Sequence, residues 1–236
     1  MNGPPVGPGL AVSSSTGVMS LATSGVGPDD DLDVQSLEVA TERRHAEELG
    51  PLLVELLAAA GRSVGELGWL AVDVGPGRFT GLRVGLATVR GLAFALDIPV
   101  VGLTSLEILA AGAPGPGPVT AVIDARRREV FQQVFVDGAP AGPARVGPAA
   151  DLAAEARGQI LGDGFDRYAE AYLRVDRRGG GHRPLVPLSD RHPRAADLLA
   201  LAAGRSPRPG TEIAPVYLRD PDAKANIRTR PQEVAG

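Results

Sequence analysis

A chain of 236 residues, 44% hydrophobic and 22% charged, has the length and composition to bury one large core or two small ones, which excludes a disordered or fibrous protein. Cysteine is absent, so disulfides and thiolate chemistry are excluded and a reducing interior is the natural setting. The formal net charge of −4 excludes a basic nucleic-acid coat and a polybasic membrane binder, so any RNA contact has to be local or come through a partner.

Residues 1–28 carry no charge, but Gly or Pro at 3, 4, 5, 7, 8 and 9 and the lack of a basic flank argue against a targeting segment. Residues 9–14 (GLAVSS) and 17–23 (GVMSLAT) predict a hairpin of two strands, and residues 34–39 a weaker third. The intervening Pro28-Asp29-Asp30-Asp31 reads as a solvated acidic tip in preference to a metal site. From Ala46 the apolar positions Leu49, Leu52, Leu53, Leu56, Leu57 and Ala60 step by three and four, predicting a helix that Gly61 ends. Ser63-Val64-Gly65-Glu66 has capping-box spacing for one short turn. Residues 69–74 (WLAVDV) predict a strand leading into the turn Gly75-Pro76-Gly77-Arg78-Phe79-Thr80-Gly81. Thr80 is expected to cap a second helix whose buried stripe is Leu82, Leu86, Val89, Ala93 and Leu96. A strand at 99–103 and a shorter helix opening at Ser105 follow.

Three strands in a meander followed by two helix crossovers is the plan of a ribonuclease H-like domain. Ala113-Pro114-Gly115-Pro116-Gly117-Pro118 is the clearest break in composition. The expected organisation is an N-terminal subdomain at 1–112, a linker at 113–118 and a smaller, degenerate C-terminal subdomain at 119–236. That later part holds strands at 119–124 and 129–136 joined by Ala125-Arg126-Arg127-Arg128, a strand at 159–162, a helix at 195–203 and a strand at 213–218. Two halves that each open with strands suggest a duplicated fold. The predicted class is α/β, with two ribonuclease H-like subdomains of the actin type and mixed sheets flanked by helices. The uncharged run at 108–123 is broken by Pro114, Pro116 and Pro118, so no bilayer span, and a soluble, cytoplasmic protein, are expected.

Actin-like kinases and heat-shock ATPases place an acidic residue at the end of the first strand; here that position reads Ser13-Ser14-Ser15-Thr16. Hydroxyls hydrogen-bond a phosphate but do not anchor Mg²⁺ as a carboxylate does, so autonomous phosphoryl transfer lacks a part. Ser14, Thr16, Gly75, Gly77, Thr80 and Gly81 form a weak candidate for an anion or nucleotide site, since the turn between strand and helix presents N–H groups. Close packing of the glycines is the stronger reading. His45, His182 and His192 have no histidine at i+4, no Gly-x-Ser-x-Gly elbow occurs, and no catalytic or metal-binding residue is assigned.

Residues 52–60 (LLVELLAAA) carry charge only at Glu55, and the next helix only at Arg83 and Arg90, so apolar surface remains on both helices after the sheet-facing stripes are assigned. Either the other half of the chain or a partner protein covers it. Charge is also segregated. Residues 29–48 hold eight acids and two arginines, net −6, and residues 174–194 hold six arginines and two aspartates, net +4, including the basic loop Arg177-Arg178-Gly179-Gly180-Gly181-His182-Arg183.

The run at 75–107, GPGRFTGLRVGLATVRGLAFALDIPVVGLTSLE, resembles the TsaB family, the dimerisation subunit of the bacterial machinery that makes threonylcarbamoyladenosine in tRNA. Residues 10–21 (LAVSSSTGVMSL) look like its opening strand pair, 45–61 like its first helix, 124–131 (DARRREVF) like its Asp-Ala-Arg hairpin and 215–219 (PVYLR) like its closing motif. The resemblance implies an actin-like fold and a noncatalytic subunit that pairs with TsaD, which carries the metal-binding histidines and transfers the threonylcarbamoyl group, while the ATPase TsaE joins them. It implies no cofactor on this chain, ATP/ADP and metal on the partner subunits, and tRNA engaged through the complex. It also puts the pairing surface on the first two long helices, here His45, Glu48, Leu52, Glu55, Arg83, Ala87, Arg90 and Phe94. A third reading is self-pairing through the same helices when TsaD is absent, since an apolar face takes whichever complement is available. The chain departs from the family pattern at Ser13, Arg78 and Phe131, where Asp, Ser and Tyr are usual. The alternative reading is a free-standing actin-like ATP-dependent phosphotransferase.

Overall fold

The computed structural model describes residues 5–26, 32–41, 44–177, 186–188 and 191–219. The acidic tip at 28–31 and the arginine-rich loop at 178–183 lie outside the described residues. Strands β1 (Gly9–Ser13), β2 (Val18–Val26) and β3 (Leu32–Ala40) form the expected antiparallel meander. After helix α1 (His45–Ala59), strand β4 (Trp69–Asp73) joins in parallel beside β1; after helix α2 (Phe79–Leu96), β5 (Val100–Leu103) extends the sheet, giving the order β3-β2-β1-β4-β5. Gly61, at φ 63°, ends α1 as anticipated. The N–H of Arg62 returns to the Leu57 carbonyl at 2.9 Å and that of Gly61 to Ala58 at 3.0 Å, the paired bonds of a Schellman motif.

Alternation along the strands decides which face each side chain buries. Leu10, Val12, Leu70 and Val72 face α1 and α2, meeting Leu49, Leu53, Leu56, Leu82, Leu86 and Val89 in one core. The other face presents the small Ala11, Ala22 and Ala71 beside Trp69. Helix α3 (Ser105–Ala111) begins after Thr104, whose hydroxyl accepts the Glu107 N–H at 3.2 Å while the Glu107 carboxylate accepts the Thr104 N–H at 3.0 Å, a reciprocal cap.

The second sheet repeats the plan. Strands β6 (Val119–Arg126) and β7 (Glu129–Val136) are antiparallel, and β8 (Ala139–Pro140) and β9 (Arg145–Pro148) both pair with β7, together standing where β3 stands in the first sheet. Helix α4 (Ala149–Leu152) leads to β10 (Gln159–Leu161), parallel to β6, and helix α5 (Asp163–Arg177) to β11 (Val186–Leu188), parallel to β10. Two sheets of one topology, each flanked by helices, make the fold the expected α/β, actin-type pair. Leu106 and Leu109 of α3 pack on Ala121, Ile123 and Phe131 of the second sheet while Ile108 packs on the first, so this short helix joins the two cores.

Helix α6 (Ala195–Ala202) returns to the first sheet, where Ala195, Leu198, Leu199 and Ala202 cover Ala11, Ala22 and Trp69. A fragment ending at residue 118 would expose that apolar face. It is expected to aggregate or bind a hydrophobic dye where the full chain does not, as expression of residues 1–118 and a dye-binding assay would show.

Two local expectations differ. Thr80 occupies the second position of α2 and does not cap it, because Arg78 is the extended residue at the helix start and donates its N–H to the Ser15 carbonyl at 2.6 Å. Residues 213–218 form no strand: the β5 edge is taken by Arg208, bonded both ways with Val100 at 2.8 Å, and a short 3-10 turn at Gly210–Glu212 leads into an extended strap. By length and composition α2 would suffice to cross a membrane, but its Leu82, Leu86, Val89 and Ala93 face is buried in the first core.

Candidate partner surface and inter-lobe cleft

Helices α1 and α2 lie side by side on the first sheet and their outer sides are not covered by the second lobe. On α2 the ridge Arg83, Ala87, Arg90 and Phe94 is exposed, with Phe94 at 88%; on α1 Val54 is 66% exposed beside Glu55 and Ala58. Leu52 and Glu48 are half-buried along the same seam. Of the eight residues expected to form a pairing surface, one does not reach it. His45 is buried with its Nε2 unpartnered, and desolvation lowers its pKa, so the ring is held neutral beneath the seam.

Gly50 and Gly91 lie inside these helices on the exposed side, and a Cβ at either would meet nothing within 4 Å beyond its chain neighbours. Helix-interior glycine costs about 1 kcal/mol relative to alanine; Gly50 precedes Pro51, whose ring crowds a Cβ on the preceding helical residue, but Gly91 is not explained by packing within the chain. Gly91→Ala is expected to raise the free energy of unfolding by about 0.5–1 kcal/mol in urea melts, whereas Gly50→Ala should gain little or nothing because its Cβ would crowd Pro51.

The turn at 14–16 and the glycine turn close on each other. Ser14 Oγ donates to the Gly81 carbonyl at 2.9 Å, and a Cβ on Gly77 or Gly81 would collide with the carbonyls of Ser15 or Ser14. Ser14 and Thr16 are buried, Thr80 is exposed, and the N–H groups of Gly75 and Arg78 are already committed to Asp73 and Ser15. This geometry supports a packing role for the glycines over an anion cradle.

Asp73, at the end of β4, organises the same corner. Its Oδ2 accepts from Ser13 Oγ at 2.8 Å and Ser15 Oγ at 2.5 Å, and its Oδ1 from Ser105 Oγ at 2.5 Å and the Gly75 N–H at 2.9 Å. Burial pushes its pKa up, against the pull of these four donors. Sequence reading passes over Asp73 because it looks like one polar residue within an apolar strand.

Above this corner, the glycine turn, the hairpin at 124–131 and the strap at 215–219 converge on a cavity of about 490 Å³ between the lobes. The strap ties the lobes together: Val216 N–H donates to the Val74 carbonyl at 2.7 Å, while Arg219 pairs with Glu129 and donates to the Ala125 carbonyl at 3.1 Å. Across the cavity Asp124 Oδ1 accepts the Arg126 N–H at 2.9 Å. Among the described residues no cluster of three or more metal-ligating side chains occurs.

A duplicated, actin-type fold whose motif residues surround the cleft between lobes, with a bare helix pair beside it, is the class these features define. The family model TsaD, described as tRNA N6-adenosine threonylcarbamoyltransferase, matches residues 38–171. The chain is 35% identical over 218 residues to an uncharacterized protein of Mycobacterium tuberculosis, covering 91% of this chain and 93% of the relative. It is 36% identical over 125 residues to the tRNA threonylcarbamoyladenosine biosynthesis protein TsaB of Haemophilus influenzae, 52% of this chain and 51% of that one. The structure of YeaZ from Pseudomonas aeruginosa superposes with a TM-score of 0.74 at 30% identity, covering 90% of this chain and 100% of its own. The chain belongs to the TsaB family.

Proposed function

We propose that the chain is a noncatalytic subunit in the formation of threonylcarbamoyladenosine in tRNA, pairing through the α1–α2 seam with a TsaD-type protein, the assembly then recruiting a TsaE-type ATPase. The observation that carries this reading is the uncovered seam, where Phe94 and Val54 stand exposed on adjacent helices. Its charge layout supports a partner of the same fold: α1 presents Glu47, Glu48 and Glu55 and α2 presents Arg83 and Arg90, so a two-fold-related helix pair would set acidic helix against basic helix. Pairing then activates the partner only by binding its substrate-competent state better than other states. ATP/ADP and metal belong to the partner subunits on this reading. A phosphotransferase reading finds no support in the closed floor of the cleft. The direct test is titration of a purified TsaD-type subunit into the full chain by calorimetry, with light scattering of the chain alone to detect self-pairing. A complex at micromolar concentrations is expected, and its absence would overturn the proposal.

A further inference from the structure

The cleft concentrates positive charge in a chain that is acidic overall. Arg78, Arg126, Arg127 and Arg219 line it; Asp124, the carboxylate of that lining, lies 3.5 Å from Arg126 and 3.6 Å from Arg167, and Glu129 pairs with Arg219, so the arginines outnumber the acids. The hairpin tip Arg126-Arg127-Arg128 holds three consecutive residues at φ 63°, 55° and 68°, a region that L side chains avoid and glycine or asparagine enters freely. Retaining arginine at three such positions points to a use for the cations, since strain persists where the surroundings impose it for function. Beside them Phe79 and Tyr217 are 49% and 42% exposed with ring centroids 5.7 Å apart, and the Arg83 guanidinium lies 3.8 Å from the Phe79 centroid.

Exposed rings beside a group of arginines are how single-stranded nucleic acid is held, bases stacking on aromatic faces while cations follow the phosphates. A free nucleoside triphosphate is less well served, because the turns beneath the cavity are closed on each other and offer no phosphate cradle. We propose that this face binds unpaired nucleotides of tRNA, with phosphates against Arg126, Arg127 and Arg78 and a base stacked on the Phe79 and Tyr217 rings. The proposal rests on the reading that the chain works in tRNA modification, and it gives the chain its own contact with the RNA.

The test is fluorescence anisotropy of the full chain with a labelled anticodon stem-loop, with duplex RNA and ATP as competitors. Binding should weaken with salt and resist both competitors. Arg126→Gly/Arg127→Gly keeps the positive-φ turn, so the unfolding midpoint should be unchanged or raised while RNA affinity falls about tenfold or more and the salt slope becomes shallower by about 1.4. Tyr217→Ala, away from that turn, should weaken RNA binding about tenfold. No RNA binding by the unaltered chain, equal binding by both variants, or displacement by ATP overturns the proposal. Association with a TsaD-type subunit is measured on the same samples: pairing without RNA binding overturns only the RNA contact, and RNA binding without pairing overturns only the scaffold reading.

Discussion

Phe94→Asp is expected to abolish pairing with a TsaD-type subunit while leaving the chain folded. The ring is 88% exposed on the last turn of α2 and contributes little to the chain's own core. Buried at an interface, an aromatic residue of this kind accounts for about 2–4 kcal/mol, or a loss of roughly 30- to 1,000-fold in affinity on removal, and an unpaired carboxylate adds its desolvation cost. Stability should fall by only about 0.3–1 kcal/mol, because an acid near a helix C-terminus opposes the helix dipole. Phe94→Arg separates the two effects: it suits the dipole yet still places a charge in the seam, so it should melt like the unaltered chain and still fail to pair. Ala87→Glu, two turns earlier on the same ridge, should likewise fail to pair. Calorimetric titration and thermal melts read both quantities. Collapse of the melt in all three variants would mean that the ridge is internal core, and unchanged affinity would remove the seam from the interface.

Elements with strong periodicity were legible in the sequence. The helical stripes of α1 and α2 and the short, largely apolar runs of β1, β4, β6 and β7 are local signals, each with Gly or Pro at one end or both. Helix α5 carries the same kind of signal, Phe165, Tyr168, Ala169 and Tyr172 stepping by three and four among charged residues, and is passed over although those positions pack in one core; Tyr168 leaves helical geometry at φ −122° within it. Strands β8 and β9 are two and four residues long and contain Pro140 and Pro148, below what alternation can reveal. Residues 213–218 alternate like a strand, but an edge already engaged by Arg208 decides otherwise. Composition leaves the covering of the seam open, because whether the second lobe reaches α1 and α2 depends on packing between residues distant in the chain. His45 falls on the predicted helix, yet its depth depends on Gly81, where a Cβ would stand 2.9 Å from its Nε2. The cleft itself joins three motifs more than 40 residues apart along the chain, and spacing contains no hint of their meeting.

Asp73→Ala is expected to destabilise the chain by about 3 kcal/mol or more, the largest single-residue loss outside the apolar core. Its hydrogen-bond partners Ser13, Ser15 and Ser105 lie 60, 58 and 32 residues away, so one carboxylate ties the end of β1, the following turn and the start of α3 to β4. Alanine leaves three hydroxyls and the Gly75 N–H without their acceptor in a dry site, each unmet donor costing about 1–3 kcal/mol unless it rotates to another partner. Asp73→Asn should cost much less. Its amide oxygen still accepts from Gly75 and Ser105, and its NH₂ donates to Ser13 and Ser15 once those hydroxyls turn to accept. The two variants also separate charge from shape. Burial raises the folded pKa of Asp73 above its unfolded value of 3.8, so its favourable contribution is complete below that value and is lost as pH rises through the folded pKa. The stability of the unaltered chain relative to Asp73→Asn should therefore increase as pH falls, in urea melts run from neutral to mildly acidic pH. An opposite slope would mean that the four donors outweigh burial and hold the carboxylate ionised. The corner would then be an anion already bound by the chain's own hydroxyls, at the place where an actin-type fold could otherwise receive one from outside.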